Sequence, residues 1–123
     1  MKFCCSTLFV KNLEESVQFY QEIIGLPIKG RLKPSPNLEI AFLGDDEAQI
    51  ELIQDINKDT IDIGKDISWA FSVDSVEDMY QFVKKQNIII LSDIIEPMPS
   101  AKFFFIEDPN GMKIQIVGNQ KPL

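Results

Sequence analysis

One order of apolar runs and chain breakers is written twice along this chain, and that doubling restricts its fold more than any other feature. The first copy opens on an apolar segment at about Lys2–Val10. Asn12 with Glu15 then gives a capping-box-like helix start, and Gly25 gives the stop. Between them Leu13, Val17, Tyr20 and Ile24 make one apolar helical stripe. Short strands follow at about Pro27–Leu32, Glu39–Leu43 and Ala48–Ile53, separated by the turns Pro34-Ser35-Pro36 and Gly44-Asp45-Asp46. The second copy repeats the order with a strand at Ile67–Val73 and a helix opened by Ser75 and Asp78, which carries Val76, Met79, Tyr80 and Val83 on one face. A strand at Asn87–Leu91, a break at Pro97-Met98-Pro99 and a closing hairpin over Phe103–Gly118 complete it. An offset of 63 residues carries Val10 onto Val73, Glu14 onto Glu77 and Phe19 onto Phe82. An offset of 64 carries Ile50 onto Ile114 and Ile53 onto Val117.

One βαβββ unit alone leaves half of its sheet uncovered. The sequence therefore predicts an α+β fold in which two βαβββ modules form a curved mixed sheet around a cleft, with helices on the outer faces. The chain reads as a single domain over 1–123, with module 1 at about 1–55, a polar linker at about 56–65 and module 2 at about 66–119. Strand alternation assigns the faces. Ile50, Leu52, Ile114 and Ile116 should pack under helices, while Gln49, Glu51, Ile53, Lys113, Gln115 and Val117 face the cleft.

The net charge of −7 opposes nucleic-acid binding, which draws on basic residues that displace phosphate counterions. No apolar run approaches the roughly 20 residues that a bilayer span requires, and the first residues lack a signal-peptide pattern. No membrane role and a cytoplasmic location are expected. Cys4 and Cys5 are adjacent; alternation along a strand sends them to opposite faces, so a disulfide between them would strain the backbone and reduced thiols are expected. Cys4 should be core. The chain has no histidine, which removes every His-based triad, general base and metal ligand.

Two segments carry a resemblance. LFVKNLEESVQFYQEIIGLPI resembles the first strand–helix signature of the vicinal oxygen chelate superfamily (glyoxalase / bleomycin resistance protein / dioxygenase-like), and FIEDPNGMKIQIV resembles its closing hairpin. The likeness spans nearly the whole chain and includes the doubled βαβββ order. Metal-using members of that group bind one divalent ion through four cleft-facing side chains, usually His or Glu. The resemblance places Cys5, Glu51, Ser68 and Gln115 at those positions, and the internal offsets independently relate Cys5 to Ser68 and Glu51 to Gln115. Only Glu51 is of the usual ligand type. Ser68 and Gln115 are neutral oxygen donors, weak toward Zn²⁺, Ni²⁺ or Fe²⁺, so no metal site and no cofactor are expected. The resemblance further implies a homodimer that takes a small-molecule ligand in its cleft.

Each candidate also has a plainer reading. Glu51 is the candidate catalytic residue, as a ligand-binding carboxylate or a base tuned by partial desolvation; otherwise it is hydrogen-bonded to Gln115 or Ser68. Cys5 has no His to activate it and reads better as a small half-buried apolar residue lining the ligand site. Arg31, the sole arginine, could anchor an anion from the second strand or simply be solvated. Trp69 should face the helix with Phe71. Of the rings in Phe103-Phe104-Phe105, at least one must face the cleft, with Phe105 the candidate to stack on a ligand. Asp108-Pro109-Asn110-Gly111 is a structural turn. Two functions remain open. One is a small-molecule-binding protein of the bleomycin-resistance type that has lost the usual metal site. The other is a lactoylglutathione-lyase-like or other isomerase/lyase, with an atypical metal site or a metal-free reaction using Glu51.

Overall fold

A computed structural model describes residues 1–45, 49–99 and 101–118. Ala48, expected to open the fourth strand, the acidic turn residues Asp46 and Glu47, and residue 119 lie outside the described residues. The chain divides into two units, Met1–Ile63 and Gly64–Leu123.

In the first unit, β1 (Cys5–Phe9) leads to helix α1 (Leu13–Gln18), and β2 (Ile28–Ser35), β3 (Leu38–Gly44) and β4 (Gln49–Asp55) follow. Asn12 caps α1, its side-chain oxygen accepting the Glu15 N–H at 3.0 Å. The helix continues as a π-helical segment over Phe19–Ile24 and ends at Gly25, whose φ of 90° is left-handed. Phe19 and Tyr20 are both buried there, ring edge to ring face at 4.9 Å. The sheet order is β1-β4-β3-β2, with β1 and β4 parallel and the other pairs antiparallel. Helix α1 packs against β3 and β4, so Ala41, Leu43, Ile50 and Leu52 are buried together with Leu13 and Val17. Full burial of such side chains contributes about 1.5–3 kcal/mol each.

The second unit repeats that plan. It contains β5 (Ser68–Val73), α2 (Val76–Lys84), β6 (Ile89–Ile90), β7 (Ile95–Met98), β8 (Ala101–Glu107) and β9 (Lys113–Gly118). Ser75 caps α2 by accepting the Asp78 N–H at 3.1 Å. The path is β5-β9-β8-β6, and β7 also pairs with β8. Strands β6 and β7 are two pieces of one edge strand, counterpart to β2. Between them the Ser92 hydroxyl accepts the Phe105 N–H at 3.1 Å in place of a backbone carbonyl. Helix α2 packs on β8 and β9 over Phe104, Ile106, Ile114 and Ile116, all buried.

The repeat is exact in register. Cys5 pairs with Gln49 in the parallel β1–β4 ladder, and Ser68 pairs with Lys113 in β5–β9, displaced by the 63 and 64 residues read from the sequence. The closing turn folds as its residues require. Asp108 Oδ1 accepts the N–H groups of Asn110 and Met112, both at 2.8 Å, and Gly111 takes φ 91°.

Three expectations need correction. Cys4 precedes β1 and is exposed, so strand alternation does not bury it. The prolines do not break the chain where expected. Pro97 lies inside β7, an edge strand that tolerates a missing donor, and β2 runs through Pro34, leaving the turn at Pro36-Asn37.

Candidate functional site

Each unit covers one face of its sheet with a helix and leaves the other face clear of its own helix. In the first unit that face presents Cys5, Thr7, Phe42 and Glu51. Glu51 pairs directly with Thr7 on β1 and with Phe42 on β3. The Thr7 hydroxyl donates to Glu51 Oε1 at 2.7 Å, which satisfies a half-buried carboxylate. Cys5 pairs with Gln49 two residues before Thr7 on the same strand face. Partial burial pushes its pKa up, the Cys4 and Glu51 neighbours add to that, and the Thr7 contact opposes it. Cys5 is therefore a thiol rather than a thiolate near neutral pH, which weakens a nucleophilic role.

A shallow depression of about 350 Å³ lies beside this cluster, lined by Lys29, Gly30, Arg31, Leu32, Phe42 and Gln49. It exists partly because Gly30 sits opposite Phe42 in the ladder: a Cβ there would meet nothing within 4 Å.

The second unit presents the corresponding set. Gln115 pairs with Ala70 on β5 and with Phe105 on β8. Ser68 is two residues before Ala70 on the same face. The Lys113 ammonium stands 4.2 Å from the centre of the Phe105 ring, and Phe103 meets Phe105 edge-on at 5.7 Å. Both units thus repeat one motif: a polar residue on the central strand (Glu51, Gln115) between an aromatic ring (Phe42, Phe105) and a small side chain (Thr7, Ala70).

Of the residues singled out in the sequence, Cys5 and Glu51 come together on the first sheet, and Ser68, Phe105 and Gln115 share a face of the second. Arg31 is placed differently. The β2 ladder shifts register between Ile28 and Gly30, so Arg31 pairs with buried Ala41 on the helix face. Its guanidinium grips Glu14 of α1 in a fork, at 2.5 and 3.2 Å. That contact holds the Glu14 carboxyl below its ordinary pKa. Trp69 lies half-buried on the helix side with Phe71, opposite Ile114. Sequence reasoning passed over Thr7 and Phe42, and placed Lys113 on the cleft face without giving it a role. Phe42 was within reach, since it lies 63 residues before Phe105. Thr7 emerges only from the β1–β4 register.

Among the described residues no helix is long and apolar enough to cross a membrane. The family model described as Glyoxalase/Bleomycin resistance protein/Dioxygenase superfamily matches residues 4–116. An uncharacterized Bacillus subtilis (strain 168) protein, YwbC, is 30% identical over 113 residues, covering 88% of this chain and 90% of that protein. A lactoylglutathione lyase of Neisseria meningitidis is 29% identical over 125 residues, covering 95% of this chain and 90% of that enzyme. The crystal structure of glyoxalase I from Zea mays superposes with a TM-score of 0.86 at 20% identity, a likeness of fold. The match covers 98% of this chain, which spans 45% of the maize chain.

Proposed function

The chain belongs to the Glyoxalase/Bleomycin resistance protein/Dioxygenase superfamily, and from that premise we propose that it is a small-molecule-binding protein that works without a divalent metal. One observation carries this reading: the Glu51 carboxylate, held by Thr7, pairs across the ladder with Phe42, which together with Gln49 lines a ligand-sized depression. A carboxylate beside an aromatic ring suits a ligand with a planar apolar body and a hydrogen-bond donor or cationic group. Phe105 beside Gln115 offers a second stacking surface with a neutral hydrogen-bonding partner.

The donor chemistry does not fit a divalent ion at the family's four positions. The first unit offers one carboxylate, already engaged by a hydroxyl, and one thiol that resists ionisation. The second offers a hydroxyl and an amide, Ser68 and Gln115, neither of which supplies charge. A homodimer that completes the ligand site, in the cytoplasm, belongs to the same proposal. The retained Glu51 favours a second reading, an isomerase or lyase related in activity to the Neisseria enzyme, in which Glu51 moves a proton.

Calorimetric titration with Ni²⁺, Zn²⁺ and Mn²⁺, together with a thermal-shift screen of small aromatic amines and carbonyl compounds, decides between them. The expected result is ligand stabilisation that is insensitive to chelator and lost in Glu51→Gln, without stoichiometric metal uptake. Metal uptake at one ion per chain that disappears in Glu51→Gln would overturn the metal-free reading, and formation of lactoylglutathione would establish the second one.

A further inference from the structure

The polar segment after β4, read from the sequence as a linker, belongs to the first unit through Ile63 and walls a cavity at the ends of β1 and β4. Backbone hydrogen bonds fix those walls. Val10 N–H donates to the Ile53 carbonyl at 2.8 Å, which carries the β1–β4 ladder up to the cavity. Ile56 N–H donates to the Asn37 carbonyl and Lys58 N–H to the Asp55 carbonyl, both at 3.0 Å, so the chain turns at the strand ends. Asp55 Oδ1 tightens that turn by accepting the Asn57 N–H at 2.9 Å. The cavity measures about 340 Å³, at the small end of the roughly 300–1,000 Å³ typical of ligand sites. It shares no lining residue with the depression beside Phe42.

Its lining combines two chemistries. Val10, Ile56 and Ile61 make an apolar wall, in which Ile56 is 63% exposed and offers apolar surface for a ligand to cover. Lys11, Lys58, Asp55 and Asp59 supply two cations and two carboxylates. The Lys58 ammonium stands 5.2 Å from the centre of the Phe9 ring, which steadies it without neutralising it. Gln54 turns its side-chain oxygen to the Leu13 N–H at 2.7 Å, which leaves its NH₂ end as a donor. Because the charges balance, a simple anion or cation meets as many like charges as opposite ones. A compact zwitterion with an apolar tail is complementary to the whole lining.

We propose that this cavity binds a free α-amino acid with an apolar side chain. Its carboxylate is held by Lys11 and Lys58, its ammonium by Asp55 and Asp59, and its side chain lies on Val10, Ile56 and Ile61. A quaternary ammonium compound fits less well, because it brings no N–H to the aspartates. The site is separate from the Glu51 face and does not rest on the function proposed for it.

The test is a titration of the full chain with L-leucine, followed through the backbone amide signals by ¹⁵N NMR. Saturable shifts are expected at Val10, Lys11, Gln54, Asp55, Asp59 and Ile61. Leucine amide lacks the carboxylate and N-acetyl-leucine lacks the ammonium. Each should bind at least about tenfold more weakly, the loss expected when a charged hydrogen-bonding partner is removed. Glycine should also bind more weakly, because it leaves the apolar wall uncovered. Lys58→Gln and Asp59→Asn should each weaken leucine binding by about tenfold. Both positions are exposed, and circular dichroism checks that each variant keeps the fold. The absence of any saturable shift up to roughly 50 mM leucine would overturn the proposal. Equal affinity for leucine and either blocked form would overturn it too, as would shifts confined to Phe42, Gln49 and Glu51. Glu51→Gln should leave the leucine titration unchanged, so failure of the ligand reading and failure of this site are distinguishable.

Discussion

Asp108 holds the hairpin that sets Gln115 opposite Phe105, and its removal has a calculable cost. The residue is only 3% exposed, and Oδ1 alone accepts both backbone donors, Asn110 N–H and Met112 N–H, while Oδ2 accepts the Asn110 side-chain amide at 3.3 Å. Asp108→Ala would leave the buried Met112 N–H unpaired, at about 1–3 kcal/mol, and the part-buried Asn110 groups partly unpaired, at about 1 kcal/mol. The expected loss is therefore about 2–4 kcal/mol. Asp108→Asn should cost only about 1 kcal/mol, because the amide oxygen can keep both backbone bonds and only the contact to the Asn110 side chain is compromised. Urea unfolding followed by far-UV circular dichroism measures both. With a slope of about 1.5 kcal/mol per molar, the alanine midpoint should fall by roughly 2 M and the asparagine midpoint by less than about 1 M, at unchanged slope. The reasoning is refuted if Asn costs as much as Ala, which would make the charge rather than the acceptor decisive, or if Ala costs under about 0.5 kcal/mol.

Two further outcomes follow from the same geometry. Glu14 is ionised more readily in the folded chain than its ordinary 4.5, so the Arg31 pair contributes above that pH and its contribution fades as pH falls through the lowered folded value. Both partners are well exposed, so Arg31→Ala should cost under about 1 kcal/mol at neutral pH and nothing at the acid end; an undiminished difference there would contradict the linkage. Gly111→Ala should destabilise by about 1–2 kcal/mol from its φ of 91° alone, since the added Cβ meets only the Glu107 carboxylate at 3.8 Å; Gly30→Ala, at ordinary φ in open space, should stay within about 0.5 kcal/mol in the same urea assay.

Local signals were legible wherever one residue's chemistry settles the matter. Asn12 and Ser75 cap because a short side-chain oxygen reaches the N–H three residues on, and Gly25 and Gly111 end or turn the chain because they accept positive φ. Arg31 shows the opposite case. Its face depends on a one-residue register shift in β2, and a shift of that size moves every later side chain to the other side of the strand. Pro97 shows another, since whether a proline breaks a strand or sits on its edge depends on which side the missing donor faces.

The sequence by itself determined the doubled βαβββ plan, the helix caps, the closing turn and the positions of Cys5, Glu51, Ser68 and Gln115, because the repeat offset and the alternation of side chains are properties of the chain. The partners of those residues were decided only in the folded sheets. Glu51 accepts the Thr7 hydroxyl, and Arg31 turns to Glu14. Cross-strand register and strand irregularity fix such contacts, and both arise from pairing between distant segments.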